Sequence, residues 1–135
     1  MRFIFAIPLI AVVMVVYTAL AIDPNFSAGS AFADWVLPSG ADFFLTFGDV
    51  FVIFGLVALF FEVIKSARLG AGTIVDHMLS TATFIIALIV FLLVQAFGTP
   101  AFLMLTLMSL VDVVAGFTVS IFSARRDFTV GGDRM

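Results

Sequence analysis

The chain has 135 residues, of which 64% are hydrophobic and 11% are charged, and its mean hydropathy is +1.31. A soluble domain carries about 25% charged residues, so this chain lacks the polar side chains that would cover a globule in water, and its solvent is expected to be lipid. The net charge of −3 means little in a membrane protein, but the sequence has no basic patch suited to nucleic acid, and the lack of cysteine excludes disulfides and thiolate metal sites.

Four apolar runs are long enough to cross a bilayer core of about 30 Å as helices, which takes about 20 residues. They cover about residues 3–22, 43–64, 73–97 and 101–122. None of them alternates polar and apolar residues as the strands of a membrane barrel do. We therefore predict an all-α membrane protein, a single domain of four transmembrane helices in an antiparallel bundle.

The segments between the predicted helices differ in kind. Residues 23–42 contain Asp, Pro, Gly and Ser but no Lys or Arg, which predicts an external loop, with a short interfacial helix around residues 31–37. The short turn at residues 98–100 predicts that the third and fourth helices form a tight hairpin. The polar residues 123–135 are expected to form a frayed cytoplasmic tail.

The basic residues predict the orientation of the chain. All six lie at the same end of the predicted helices: Arg2, Lys65, Arg68, Arg125, Arg126 and Arg134. The positive-inside rule then places both termini in the cytoplasm. Ala19, Leu20 and Ala21 imitate a signal-peptidase site, but the preceding apolar stretch of about 20 residues exceeds the usual 7–15 of a signal peptide, which favours an uncleaved first helix.

Asp112 is the most costly polar residue of the sequence, because it falls near the middle of the fourth predicted span. A carboxylate at that depth costs about 2.5–3.5 kcal/mol on insertion scales, which favours protonation, pairing or a polar partner. Ser109, Gly116 and Ser120 share its helical face and form a strip of small and polar side chains. We expect this strip to pack against another helix rather than lipid.

The second predicted helix carries a complementary strip. Gly48, Gly55 and Glu62 repeat every seven residues, and Gly55 has a depth similar to that of Asp112, which predicts close packing of the second and fourth helices. Glu62 precedes Lys65 by three residues, so we expect an ion pair near the cytoplasmic interface.

Asp49 is predicted to lie inside the membrane near the external side. Gln95 and Ser109 have a similar depth and are its expected hydrogen-bond partners. For Asp49 and Asp112 the sequence leaves three roles open: hydrogen bonding between helices, a proton or cation pathway, and contact with a partner subunit.

Asp76 and His77 stand at the start of the third predicted helix. Thr73 suits the N-cap position and Asp76 the acidic position of a capping box, so this pair is expected at the cytoplasmic interface, near Arg125 and Arg126. An interfacial ion pair is the expected role. The single histidine and the scattered carboxylates are too few ligands for a zinc site, and no metal or other cofactor is predicted.

Two stretches, "FGDVFVIFGLVALFFEVIKSARLGAGTIVDHMLSTATFIIALIVFLL" and "FLMLTLMSLVDVVAGFTVSIFSARRDF", resemble a group of small four-helix inner-membrane proteins of alphaproteobacteria. Asp49, Glu62, Asp76, His77 and Asp112 are among the positions that carry the likeness. The resemblance implies a location in a bacterial cytoplasmic membrane. It implies no activity, because that group has no assigned function.

The sequence favours a non-enzymatic accessory or scaffold subunit of a larger membrane complex. It contains no nucleotide-binding loop, nucleophile constellation or cofactor motif, and its 18 Phe exceed what a four-helix core can bury, so many must face lipid, other subunits or further copies. One alternative is proton or cation translocation through Asp112, Asp49, Glu62 and the Asp76–His77 pair. Another is an enzyme acting on lipid or isoprenoid at the cytoplasmic interface.

Overall fold

The computed structural model describes the backbone of residues 7–68 and 74–131. This part of the chain is mostly helical, with four α-helices, one two-stranded antiparallel sheet and a 3-10 turn at Gln95–Phe97 between the last two helices. The elements are α1 Leu9–Ala21, β1 Ala31–Val36, β2 Asp42–Thr46, α2 Phe47–Arg68, α3 Ile74–Leu93 and α4 Pro100–Gly131. Three stretches are long and apolar enough to cross a membrane, Phe47–Ala67, Ile74–Leu93 and Pro100–Phe122, which is compatible with an integral membrane protein.

The first helix is shorter than predicted. α1 has 13 residues, about 20 Å of helix, which is less than a hydrocarbon core of about 30 Å. Pro8 is the N-cap residue in extended conformation, so the described helix begins after it; the first residues of the predicted span, 3–6, lie outside the described part. α1 nevertheless belongs to the core, because Ile10 and Tyr17 are fully buried. Whether this segment is retained or cleaved stays a prediction.

The prediction of an interfacial helix at residues 31–37 is wrong, because this segment forms the first strand of a β-hairpin. Trp35 pairs with Phe43 across the two strands, with ring centroids 4.8 Å apart. The chain reverses after Leu37, where Gly40 has a φ of +83°, a left-handed conformation that favours glycine. Cross-strand aromatic pairing and this turn stabilise the hairpin over a short helix.

Two other helix bounds differ from the prediction, and the helices that follow these points begin with a side-chain cap. α2 begins at Phe47 rather than residue 43, because residues 43–46 belong to β2 and the side chain of Thr46 bonds the first turn of α2. α3 ends at Leu93 rather than residue 97. Pro100 then occupies the first position of α4, and Thr99 accepts a hydrogen bond from the N–H of Phe102 at 3.2 Å.

The predicted frayed tail is wrong for residues 123–131, because α4 continues without a break to Gly131. The sequence from 123 to 130 contains neither Gly nor Pro, so nothing in it ends a helix, whereas two consecutive glycines follow at 131 and 132. Residues 132–135 lie outside the described part of the chain.

α2 packs against both α1 and α4, and α3 packs mainly against α4. α2 and α4 run side by side in the same direction, since Gly48 faces Ala101 and Gly55 faces Leu105. A Cβ atom built on Gly55 would lie 2.5 Å from a methyl carbon of Leu105, so the predicted close packing of α2 against α4 is present at this glycine. Below, "hairpin end" denotes the end of the helices beside β1 and β2, and "basic end" the end that carries Lys65.

Candidate functional site

A cluster of buried and half-buried polar side chains lies between α2, α3 and α4, from the middle of the helices to the basic end. It surrounds an internal space of about 20 Å³, which is enough for one water molecule. Most of the polar residues singled out in the sequence for the basic end are brought together here. The residues that line the space are Glu62, Lys65, Ser66, Asp76, His77, Ser80, Asp112 and Gly116.

Asp112 occupies the deepest position of this polar cluster. It lies near the middle of the apolar stretch Pro100–Phe122, and its side chain is buried with 5% exposure. The hydroxyl of Ser80, which is also buried, donates a hydrogen bond of 2.7 Å to its Oδ2. This bond joins α3 to α4 and provides the polar partner that a carboxyl group at this depth requires. Sequence spacing put Asp112 on a packing face but did not identify α3 as the helix that supplies its partner.

Glu62 is buried more deeply than an interfacial position predicts, with 4% exposure. Its Oε2 lies 3.1 Å from Nζ of Lys65, so the expected ion pair is present. Its Oε1 also accepts a hydrogen bond of 2.6 Å from the backbone N–H of Leu9, the first residue of α1. The carboxylate therefore caps the amino terminus of a neighbouring helix, where the helix dipole favours negative charge. The sequence carries no signal for this contact, because the two residues are 53 positions apart.

His77 joins α3 to α4 one helical turn closer to the basic end than Ser80. Its Nε2 lies 2.6 Å from the hydroxyl oxygen of Ser120, and its ring stacks on Phe117 with centroids 5.4 Å apart. A Cβ atom on Gly116 would lie 2.7 Å from Nδ1 of the imidazole, so the glycine provides the room for this ring. Gly116 and Ser120 were predicted as helix-packing residues, and the side chain they pack against is His77.

The ion pair expected between Asp76 and the arginines of α4 stays a prediction. Asp76 is in the first turn of α3 and lines the polar cluster, as its position in the sequence suggests. Arg125 is exposed on α4. Thr73 and the side chain of Arg126 lie outside the described part of the structure.

Asp49 does not have the role predicted for it. The residue is exposed, and its Oδ2 accepts hydrogen bonds from the hydroxyl and the backbone N–H of Thr46, at 2.6 and 2.9 Å. The backbone N–H of Asp49 bonds the Thr46 hydroxyl in return, which completes a capping box at the start of α2. Ser109 donates instead to the carbonyl of Thr106 on its own helix, and Gln95 lies in the 3-10 turn before α4. Asp49 is therefore a capping residue at the hairpin end.

A second buried group, which the sequence analysis did not identify, lies near the hairpin end around Tyr17. The ring of Tyr17 contacts those of Phe51 and Phe102, with centroids 5.2 and 5.5 Å apart. Its hydroxyl lies 2.7 Å from that of Thr99, which caps α4. The rings of Phe26 and Phe97 complete this aromatic cluster.

The polar cluster has the groups needed to hold helices together and to exchange protons over a short distance. Among the described residues, every buried side-chain nitrogen or oxygen has a hydrogen-bond partner. No group of three or more His, Asp or Glu side chains in that part of the chain has the arrangement to hold a metal ion. In the direction of the hairpin end, Leu105 and Phe102 are buried, and the hydroxyl of Thr106 donates to a backbone carbonyl of its own helix. The polar groups thus extend over the half of the helices that includes the basic end.

Comparison with known proteins gives no match to a protein-family model, to a curated protein or to a solved structure.

Proposed function

We propose that this protein is a non-enzymatic accessory or scaffold subunit of a larger assembly in a bacterial inner membrane, with both termini in the cytoplasm. The resemblance to small four-helix inner-membrane proteins of alphaproteobacteria belongs to the same proposal. The polar cluster has a structural role in it: Glu62 bonds α1, and the Ser80–Asp112 and His77–Ser120 pairs bond α3 to α4.

The observation that carries the proposal is the exposure of α3. Of its apolar stretch, 11% is buried, against 33% for that of α4. Ile86, Leu92 and Leu93 on α3 are all more than half exposed. Lipid can cover such a helix, but a helix attached to the rest of the chain along a narrow strip also presents a broad surface to helices of other subunits.

A groove between α1 and α3 is the part of this surface that best fits another helix. Small side chains, among them Ala11, Ala19 and Ala87, alternate along it with Val15 and Ile86, and its volume is about 480 Å³. Small residues let two helix backbones approach closely, which is the main source of helix association in lipid. We refer to this surface as the α1–α3 groove and infer that an apolar transmembrane helix of a partner subunit occupies it.

Extraction in mild detergent at native expression level, followed by native electrophoresis, tests the proposal. The chain should migrate in a species well above its own mass of 14.5 kDa. Ala19→Trp, which fills the α1–α3 groove from an exposed position, should convert most of that species to free chain. The matched control is Ala82→Trp, an exposed alanine of α3 outside this groove, which should leave the large species intact. Migration of the wild type as a free monomer alone would contradict the proposal.

Proton translocation is the second candidate, and the position of Asp112 favours it. Its carboxyl group lies near mid-span, beside an internal space for one water molecule. A row of titratable groups leads from there to Lys65, and together these groups form half of a proton route. The other half would have to pass the buried side chains of Leu105 and Phe102. Liposomes that contain the purified protein and an internal pH dye separate the two candidates. A proton flux that Asp112→Asn abolishes would favour transport, and equal flux in both proteins and in empty liposomes would remove it.

A further inference from the structure

The two strands of the β-hairpin carry large apolar side chains that the helices leave exposed. Trp35 and Phe44 are 48% and 57% exposed, and Val36 is exposed as well. The main contact of the strands with the helices is with α2. Because a two-stranded hairpin is at best marginally stable by itself in water, we expect these apolar side chains to be covered by something other than this chain.

The register of the two strands separates their side chains onto two faces. Side chains alternate between the faces along a strand, and residues that pair across the strands share a face. The pairs Trp35–Phe43 and Ala33–Leu45 therefore lie on the same face. None of these four side chains is charged, and the two rings have centroids 4.8 Å apart. We call this surface the tryptophan face.

The opposite face of the hairpin is acidic. It contains the pairs Asp34–Phe44 and Val36–Asp42, and both carboxylates are exposed. We call this surface the acidic face. Charged side chains avoid the hydrocarbon of a membrane, whereas Trp is enriched at the level of the headgroups. The hairpin is thus amphipathic, with one face that suits lipid and one that suits water.

The hairpin is joined directly to an apolar stretch long enough to cross a membrane. β2 ends at Thr46, and the apolar stretch of α2 begins at Phe47. The backbone N–H of Phe47 donates to the carbonyl of Ser30 at 3.1 Å, which fixes the base of the hairpin to the start of α2. The Trp35–Phe43 pair lies about 13 Å or less from that point, because Phe43 precedes Phe47 by four residues.

This distance makes the inclination of the hairpin decisive. The headgroup layer on each side of a bilayer is about 5–7 Å thick. A hairpin that stood upright on α2 would carry the ring pair through this layer into water. A hairpin inclined towards the membrane places the ring pair among the headgroups, and the two carboxylates then determine which face is turned away from the lipid.

We propose that the β-hairpin is a membrane anchor whose tryptophan face binds the headgroup layer of the bilayer, with the acidic face turned to water. The partner is phospholipid, because the continuity of β2 with α2 brings this face to the membrane surface. The indole of Trp35 suits this position, since its apolar body contacts acyl chains and its N–H bonds polar headgroups. No basic side chain lies on either face, so a zwitterionic lipid is sufficient. The anchor requires a membrane location but no partner subunit.

Trp35 is the single tryptophan of the chain, so its fluorescence reports on this face in the unmodified protein. The full chain is reconstituted in phosphatidylcholine vesicles that contain phosphatidylcholine brominated either near the glycerol end or near the methyl end of its acyl chains. The emission should be blue-shifted relative to tryptophan in water. Bromine near the glycerol end should quench it at least about twofold more strongly than bromine near the methyl end.

Two double variants are the matched controls. Trp35→Phe with Phe44→Trp moves the tryptophan to the acidic face, where quenching by either brominated lipid should be at least about twofold weaker than in the wild type. Trp35→Phe with Leu56→Trp moves it to a half-exposed position near the middle of the apolar stretch of α2, where bromine near the methyl end should quench more strongly. Absence of quenching at position 56 would contradict the membrane location and the anchor together.

Three results with a quenched tryptophan at position 56 would overturn the anchor alone. Wild-type emission as in water, without quenching by either lipid, would show that the tryptophan face lies in water. Blue-shifted emission without quenching would show that protein rather than lipid covers it. Equal quenching in the wild type and in the Phe44→Trp double variant would show that the hairpin does not present one face to the membrane. Circular dichroism verifies that each variant is folded, and the wild-type measurement requires no substitution.

Discussion

The two ends of the helices are held together by different chemistry. Near the hairpin end, α1, α2 and α4 meet in the aromatic cluster around Tyr17, in which Phe51 and Phe102 lie within 5.5 Å of its ring. Towards the basic end, the polar cluster joins the same helices and α3 through a buried carboxylate on each of α2 and α4. The aromatic cluster depends on packing and shape, whereas the polar cluster depends on specific donors and acceptors.

This contrast indicates that the aromatic cluster contributes more to stability and that the polar cluster is the place where a function is expected. Apolar packing in lipid gives each side chain many weak contacts, and removal of a buried side chain therefore lowers the free energy of unfolding. Hydrogen bonds between transmembrane helices contribute about 0.6 kcal/mol on average, so the polar cluster is expected to add less stability than its number of polar groups suggests. Carboxyl groups kept at this depth despite their cost are more readily explained by specificity of helix pairing or by a function.

The largest expected effect is on the aromatic cluster. Phe102→Ala removes a side chain that is 2% exposed and contacts both Tyr17 and Phe97, and it should lower the free energy of unfolding by about 3–5 kcal/mol. The measurement is reversible unfolding in bicelles by a titration with SDS. Phe60→Ala is the matched control, since Phe60 is 62% exposed on α2, and it should change the value by less than about 1 kcal/mol. Similar losses in the two variants would contradict the packing described here.

Gly116→Ala should have the next largest effect, at the polar cluster. The new methyl group would lie within 3 Å of the His77 ring and push it away from Ser120, at a cost of about 1–3 kcal/mol in unfolding free energy. Gly98→Ala is the control, because its nearest neighbour would be a carbonyl oxygen at 3.4 Å. In a His77→Ala background the cost of Gly116→Ala should disappear. If Gly116→Ala still lowered the free energy of unfolding in that background, its cost would not come from the contact with the His77 ring.

Loss of the Ser80–Asp112 hydrogen bond should lower the free energy of unfolding by less than Phe102→Ala or Gly116→Ala does. A double-mutant cycle with Ser80→Ala and Asp112→Ala is expected to give a coupling energy of about 0.6–1.7 kcal/mol, the range found for polar pairs between transmembrane helices. The cycle of Ser80→Ala with Thr106→Val provides the comparison, since Thr106 bonds its own helix. Its coupling should be close to zero. Equal coupling in the two cycles would mean that the pair is not specific.

The smallest expected effect is the loss of the contact between the hydroxyls of Tyr17 and Thr99 in the aromatic cluster. Tyr17→Phe keeps the ring and removes the hydroxyl that meets Thr99, so the unfolding free energy should fall by about 0.6 kcal/mol. A loss of more than about 2 kcal/mol would show that the hairpin end also depends on polar contacts, and the contrast between the two ends would then fail.

Sequence reasoning worked best where a property is local or depends on depth alone. The apolar runs predicted the three long helices, the i,i+3 spacing predicted the Glu62–Lys65 pair, and the capping pattern predicted that Asp76 lies in the first turn of α3. It failed for Asp49 because depth alone does not distinguish a residue inside the membrane from one that caps a helix. Thr46, three positions before Asp49, was the signal that could have identified the cap.

The sequence by itself determined a chain that is apolar along most of its length, with three helices long enough to cross a membrane, because composition and periodicity depend on each residue and its near neighbours. Only the tertiary structure decided the partners of the polar groups. Glu62 meets the backbone of Leu9 from 53 positions away, and Ser80 rather than a residue of α2 meets Asp112. Those pairings depend on how the helices are rotated against one another, and that rotation results from the packing of all the helices together.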